Sequence, residues 1–135
     1  MQAYTRNDVA LAISLVGIIT AIALVCFGDT RDLDYVWIGR IGVVILAGPG
    51  AYFAGLLCGP MFGIPGKWGW LAAAIGAAMS TICGAMIAGT FAVPLLGTFI
   101  APLVLIAEGL HQPLIALIWC ASMIGLQVIL LKSVD

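Results

Sequence analysis

Apolar residues run through this chain in long blocks, separated only by short polar or glycine- and proline-rich connectors. Residues 8–27, 36–58, 70–90 and 113–131 each approach or exceed the length of about 20 apolar residues that a helix needs to cross a bilayer. A fifth block, 91–107, is nearly as long, but Pro94, Gly97 and Pro102 argue against a continuous straight helix there. The pattern predicts an all-α polytopic membrane protein with a single transmembrane domain over 1–135. Its expected architecture is a bundle of four transmembrane helices plus a broken or re-entrant apolar segment at 91–107. Alternatively that segment crosses, giving five spans.

The connectors agree with these boundaries. Asn7 or Asp8 is placed to cap the first helix, and Gly28 ends it before a loop carrying Asp29, Arg31, Asp32 and Asp34. Tyr35 and Trp37 suit the headgroup level at the start of the second block. Arg40, a turn further in, is long enough to snorkel back towards Asp32 or Asp34. Pro49, between two glycines, predicts a kink in that helix. Gly59-Pro60 and Pro65-Gly66 mark turns, and Lys67, Trp68 and Trp70 set the second connector at a membrane surface. Residues 108–113 read as a polar turn, with Pro113 suited to the first turn of the last helix.

Composition sharpens this picture. The 135 residues are 64% hydrophobic and 8% charged, against about 25% charged for a soluble domain whose surface must be wetted. A net charge of −1 leaves no basic patch to neutralise phosphates, so no nucleic-acid partner is expected. The partners expected are the lipid bilayer and either other membrane subunits or further copies of this chain. The first block is longer than the apolar stretch of a secretory signal and lacks a small-residue cleavage site, so it reads as a retained span. With four spans, Arg6, Lys67 and Lys132 share one side and Arg31 and Arg40 the other. That asymmetry points to a cytoplasmic N-terminus in a plasma membrane or bacterial inner membrane.

The most specific pattern lies in the third block. Ala72, Gly76, Ser80, Gly84 and Ala88 recur at every fourth position, and Ala73, Ala77, Thr81, Ala85 and Gly89 form a second row beside them. Residues four apart are neighbours on a helix, so the two rows make one broad flat face. Helices in lipid associate by close packing, which small residues permit. This face either packs on the small-residue stripes of the first two spans or docks a partner. Behind it stands a tandem G-T-F-x-x-P-L repeat at 89–95 and 97–103. Broken backbone at membrane depth occurs where it is buried in protein or lines a cavity, so Thr90, Pro94, Thr98 and Pro102 are candidates for a pathway or for a packing break.

Candidate chemistry is sparse. Glu108 and His111 are three apart and could form a proton-handling pair, or could simply be turn residues at the headgroup level. One histidine and four dispersed cysteines (Cys26, Cys58, Cys83 and Cys120) give no metal-ligand spacing, and the thiols read as small buried hydrophobes. No nucleophile–base set or phosphate loop is present, so no catalytic residue, metal or cofactor is expected, and the chain is not expected to be an enzyme. Two functions remain open. One is a non-enzymatic membrane subunit or scaffold that docks through its small-residue faces into a larger complex. The other is a small oligomeric channel or transporter whose path is lined by residues 89–104.

Overall fold

The computed structural model describes residues 4–28 and 39–132. They form five helices and, among the described residues, no strand: α1 (Arg6–Phe27), α2 (Gly39–Cys58), α3 (Lys67–Ala92), α4 (Leu96–His111) and α5 (Pro113–Lys132). A 3-10 turn, Gly59–Met61, follows α2. Four of these helices are long and apolar enough to cross a membrane. The fourth in chain order is not: sixteen residues give α4 a length of about 24 Å, against about 30 Å of hydrocarbon.

The helix starts are read more closely in the structure than in the sequence. Thr5, not Asn7 or Asp8, caps α1, and Asp8 is its partner in a capping box. The Thr5 hydroxyl accepts from the Asp8 N–H at 3.3 Å, and the Asp8 carboxylate accepts from the Thr5 N–H at 2.8 Å. The α3 helix begins at Lys67, ahead of the expected Trp70, because Gly66 at φ 86° turns the chain directly into it. The helix α2 continues through Pro49, although the proline has no N–H to offer the carbonyl of Ile45. The expectations for residues 29–38, including Tyr35, Trp37 and a partner for Arg40 at Asp32 or Asp34, lie outside the described residues.

Each helix packs on the next in the chain, and α5 returns to pack on α1, so the five close into a ring. Their directions follow from specific contacts. Arg6 Nε donates to the Leu56 carbonyl at 2.6 Å, joining the start of α1 to the end of α2. Gly76 lies against Met61 and Phe62, while Gly84 lies against Ala51, so α3 runs antiparallel to α2. The Gly63 N–H donates to Gln127 Oε1 at 2.9 Å, and Trp119 Nε1 donates to Thr81 Oγ1 at 2.9 Å. Moving up α3 therefore means moving back along α5, and those two are antiparallel as well. The helix α4 starts beside the end of α3 and ends one residue before α5. Both of its ends therefore lie in the same half of the bundle.

Inside the ring, small residues on facing helices sit beside larger ones such as Ile13, Ile115 and Leu126, while many large apolar side chains face outward. Ala10, Ala54, Ala73 and Ala77 are buried, while Leu15, Ile41, Leu57, Leu71 and Leu117 are exposed. A water-soluble bundle arranges these the other way round. In a hydrocarbon solvent, exposed leucine costs nothing and close backbone approach supplies the cohesion.

The expected break in the fifth block is confined to three residues. Leu95, at φ 67° and ψ −61°, sits at the corner of a γ-turn in which the Leu96 N–H bonds the Pro94 carbonyl at 2.9 Å. Beyond it α4 runs without interruption through Gly97 and Pro102, so Pro102 is not a break. It is buried, and its helix neighbours Gly97 and Ala101 pack closely on Gly89 of α3. Residues 108–111, expected as a polar turn, form the last turn of α4, and only Gln112 separates it from α5.

Candidate functional site

A cavity of about 360 Å³ lies within the ring, lined by all five helices. Its wall is built mainly of small and aliphatic residues, among them Gly17 and Ala21 on α1, Ala47 on α2, Ala85 on α3, Ala101 on α4 and Met123 on α5. The small side chains of the facing rows let the backbones approach yet leave the centre unfilled. That volume falls within the range of about 300–1,000 Å³ typical of small-molecule sites.

The polar groups on this wall are mostly occupied. The Thr20 hydroxyl donates to the Val16 carbonyl at 2.8 Å, and Ser80 and Thr81 both donate to the Ala77 carbonyl, at 3.0 and 2.8 Å. Thr81 also accepts from Trp119, which completes a relay from indole N–H to hydroxyl to backbone carbonyl. The cavity thus presents an apolar interior whose hydroxyls are turned back into their own helices. Among the described residues, Glu108 is the one charged side chain on the lining, with its Oε2 close to Gly28 at the end of α1.

Most positions of both small-residue rows of α3 meet other parts of the same chain. In the first, Gly76 meets Met61, Ser80 is 1% exposed, Gly84 meets Ala51, Ala88 lies against Gly50, and Ala72 is half-buried. In the second, Ala73 and Ala77 are buried, Thr81 holds Trp119, Ala85 lines the cavity and Gly89 abuts Gly97 of α4. The segment 89–104 does line the cavity, but through Gly89, Ala92, Val93, Gly97, Ile100, Ala101 and Val104. The four candidate residues of the repeat lie elsewhere. Thr90 is exposed and donates to the Met86 carbonyl at 2.7 Å, and its oxygen lies 2.7 Å from that of Thr98, which clips α3 to α4. Pro94 is exposed in the turn, and Pro102 is buried off the lining.

Glu108 and His111 share the last turn of α4. The Nδ1 of His111 lies 2.8 Å from the Ala107 carbonyl, and the residue is exposed. Its ring hydrogen bond is therefore local to the helix end, whereas Glu108 is directed to the cavity rim and Gly28. Among the described residues, no three histidine, cysteine or acidic side chains cluster to hold a metal. Of the four thiols, all free, only Cys58 is buried, and Cys26 and Cys120 face outward, unlike the expectation that all four would be inside.

Two residues missed in the sequence position the site. Nothing in the sequence sets Trp119 apart from the other apolar residues of the last span. Gln127 is 1% exposed, and its Oε1 ties the connector before α3 to α5 while its Nε2 has no partner among the described residues. A lone amide within a 20-residue apolar helix is a signal in its own right, because hydrocarbon offers it no hydrogen bond.

No protein-family model matches the chain, and neither the curated proteins nor the solved structures compared with it contain a match.

Proposed function

We propose that this chain is a non-enzymatic integral membrane protein that binds a small apolar molecule in its central cavity and acts as a carrier or channel for it. In this reading α1, α2, α3 and α5 cross the bilayer. The α4 helix leaves and re-enters the bundle on one side, so that Arg6, Lys67 and Lys132 share the other. The observation that carries the proposal is the cavity itself, which all five helices line with aliphatic atoms and whose hydroxyls are already bonded. The docking-scaffold reading has less support, because most positions of the small-residue faces it needs meet other parts of the chain.

Trp119 reports on the site. In a background carrying Trp37→Phe, Trp68→Phe and Trp70→Phe it is the remaining tryptophan. Titration of the detergent-solubilised protein with 1-bromodecane, whose heavy atom quenches indole fluorescence, is expected to saturate. Adding Ala85→Phe, which fills the cavity, is expected to weaken the apparent affinity at least tenfold. Quenching that rises linearly and equally in both proteins would mean partition into the micelle, and would remove the proposal.

A further inference from the structure

The two ends of the central cavity differ in chemistry. At one end its wall residues Ile13, Val16, Ala51 and Met123 belong to the buried cluster that also holds Val9, Phe62 and Leu126, so the space stops against packed core. From Ile13 the wall follows α1 to Leu24, a rise of about 16 Å. At that second end stands Glu108, half-buried in the last turn of α4, with its Oε2 3.2 Å from where a Cβ on Gly28 would be. The cavity is thus apolar and blind at mid-bundle and acidic at its far end. We infer that the guest is a single-chain cationic amphiphile, with its alkyl chain in the apolar cavity and its ammonium group against the Glu108 carboxylate. The inference rests on the cavity-binding reading above and adds the chemistry of the guest's end group.

Apolar pockets fix the orientation of a guest through a few placed polar groups. The hydroxyls of Thr20, Ser80 and Thr81 are already bonded to backbone carbonyls, whereas Glu108 brings a charge to the wall. A carboxylate beside apolar surface keeps its water or exchanges it for a cation, and an alkyl end pressed against it would offer neither. An ammonium offers up to about three donors together with the opposite charge. The carboxylate need not be free of protein contacts to accept them, since its two oxygens present about four lone-pair sites. An anionic end group would meet like charge instead. Depth agrees with this pairing. On the proposed topology Glu108, beside the end of α1, lies at the headgroup level of one face, and the cavity runs from there towards the middle of the bundle. A single-chain amphiphile in a leaflet already lies with its head outward and its chain inward, so it matches the cavity without turning over. The wall residues Val93, Ile100 and Val104 are themselves exposed, which leaves the space open along that part of the wall.

The test uses the protein whose remaining tryptophan is Trp119, in micelles of an uncharged maltoside detergent, with quenching by 1-bromodecane as the reporter. Three competitors of equal chain length, n-decylammonium, n-decanol and n-decyl sulfate, displace the bromodecane at neutral pH from the parent and from its Glu108→Gln variant. Glu108→Gln is expected to weaken competition by decylammonium about fivefold, the upper range for a partly exposed ion pair. It should strengthen competition by decyl sulfate and leave that by decanol little changed. Comparing two proteins in the same micelles cancels the partition of each competitor into detergent. Competition by decylammonium that is equal in the two proteins, or stronger in the variant, would overturn the assignment. Thermal melts identify a variant that fails to fold. The parent then decides alone: decyl sulfate competing as well as decylammonium, each corrected for its partition into protein-free micelles, would equally overturn it. The two readings fail separately. If bromodecane saturates the parent while decylammonium is blind to Glu108→Gln, the end group alone falls. If bromodecane does not saturate the parent, the cavity reading falls and takes the end group with it.

Discussion

Gly89 and Gly97 meet backbone to backbone where α3 turns into α4, so that a Cβ on either would overlap the carbonyl oxygen of the other. Neither obstacle is a flexible side chain, and neither can move without parting the two helices. These are the first residues of the two repeat units, and their contact explains why the repeat begins with glycine. Gly89→Ala or Gly97→Ala is expected to destabilise the fold by about 1–3 kcal/mol. Gly125→Ala on α5 meets nothing within 4 Å and should instead stabilise it by up to about 1 kcal/mol, through helix propensity. Thermal melts in one detergent compare all three.

Leu95 holds a positive φ at the corner of the γ-turn, a conformation costly to a side chain with a Cβ and worse for a branched one. It is 80% exposed, so its side chain contributes little packing that could offset the strain. Leu95→Gly should leave stability unchanged or raise it, whereas Leu95→Val should lower it by about 1–2 kcal/mol. The same melts read the contrast. Equal effects of the two substitutions would mean that the turn relaxes freely.

Two polar contacts hold α1 to α2 and α5 to the connector that precedes α3. The Ser14 hydroxyl donates to the Gly48 carbonyl at 2.8 Å, and Gln127 accepts from Gly63. Ser14→Ala is expected to cost about 0.6 kcal/mol, the mean for an interhelical hydrogen bond in lipid. Gln127→Leu removes an unpartnered amide N–H₂ but strands the Gly63 N–H, for a net loss of about 1–3 kcal/mol. Denaturation of the two variants beside the parent, in one mixed-micelle system, measures both differences.

The fold was largely legible in the sequence where hydrophobic length and small-residue spacing carry the information. The four long helices and the break at Pro94 follow from patterns within single segments. Pro102 was misread because local rules judge a proline by the hydrogen bond it deletes. Here the close approach of Gly97 and Ala101 to Gly89 supplies packing that those rules do not see. Residues 108–113 look like a turn by composition, yet Glu108 and His111 finish a helix whose next residue but one starts another. The cavity was not legible. It depends on how five separately small-faced helices close into a ring, and on Trp119 reaching Thr81 from 38 residues away.

The topology makes its own forecast. Single cysteines at Lys67→Cys and Lys132→Cys, in a background carrying Cys26→Ala, Cys58→Ala, Cys83→Ala and Cys120→Ala, should react with a membrane-impermeant maleimide from one face of sealed vesicles. A cysteine at Gln112→Cys, between α4 and α5, should react from the opposite face. Labelling of Lys132→Cys and Lys67→Cys from opposite faces would mean that α4 crosses, and that the chain has five spans.

The central claim is that one chain alone completes an apolar binding site. The most direct measurement is the number of 1-bromodecane molecules retained per chain in lipid nanodiscs, with bromine counted by mass spectrometry and empty discs subtracted. Saturation at one molecule per 14.0-kDa chain is the expected result. Uptake equal to that of empty discs, or saturation at one molecule per two chains, would contradict it.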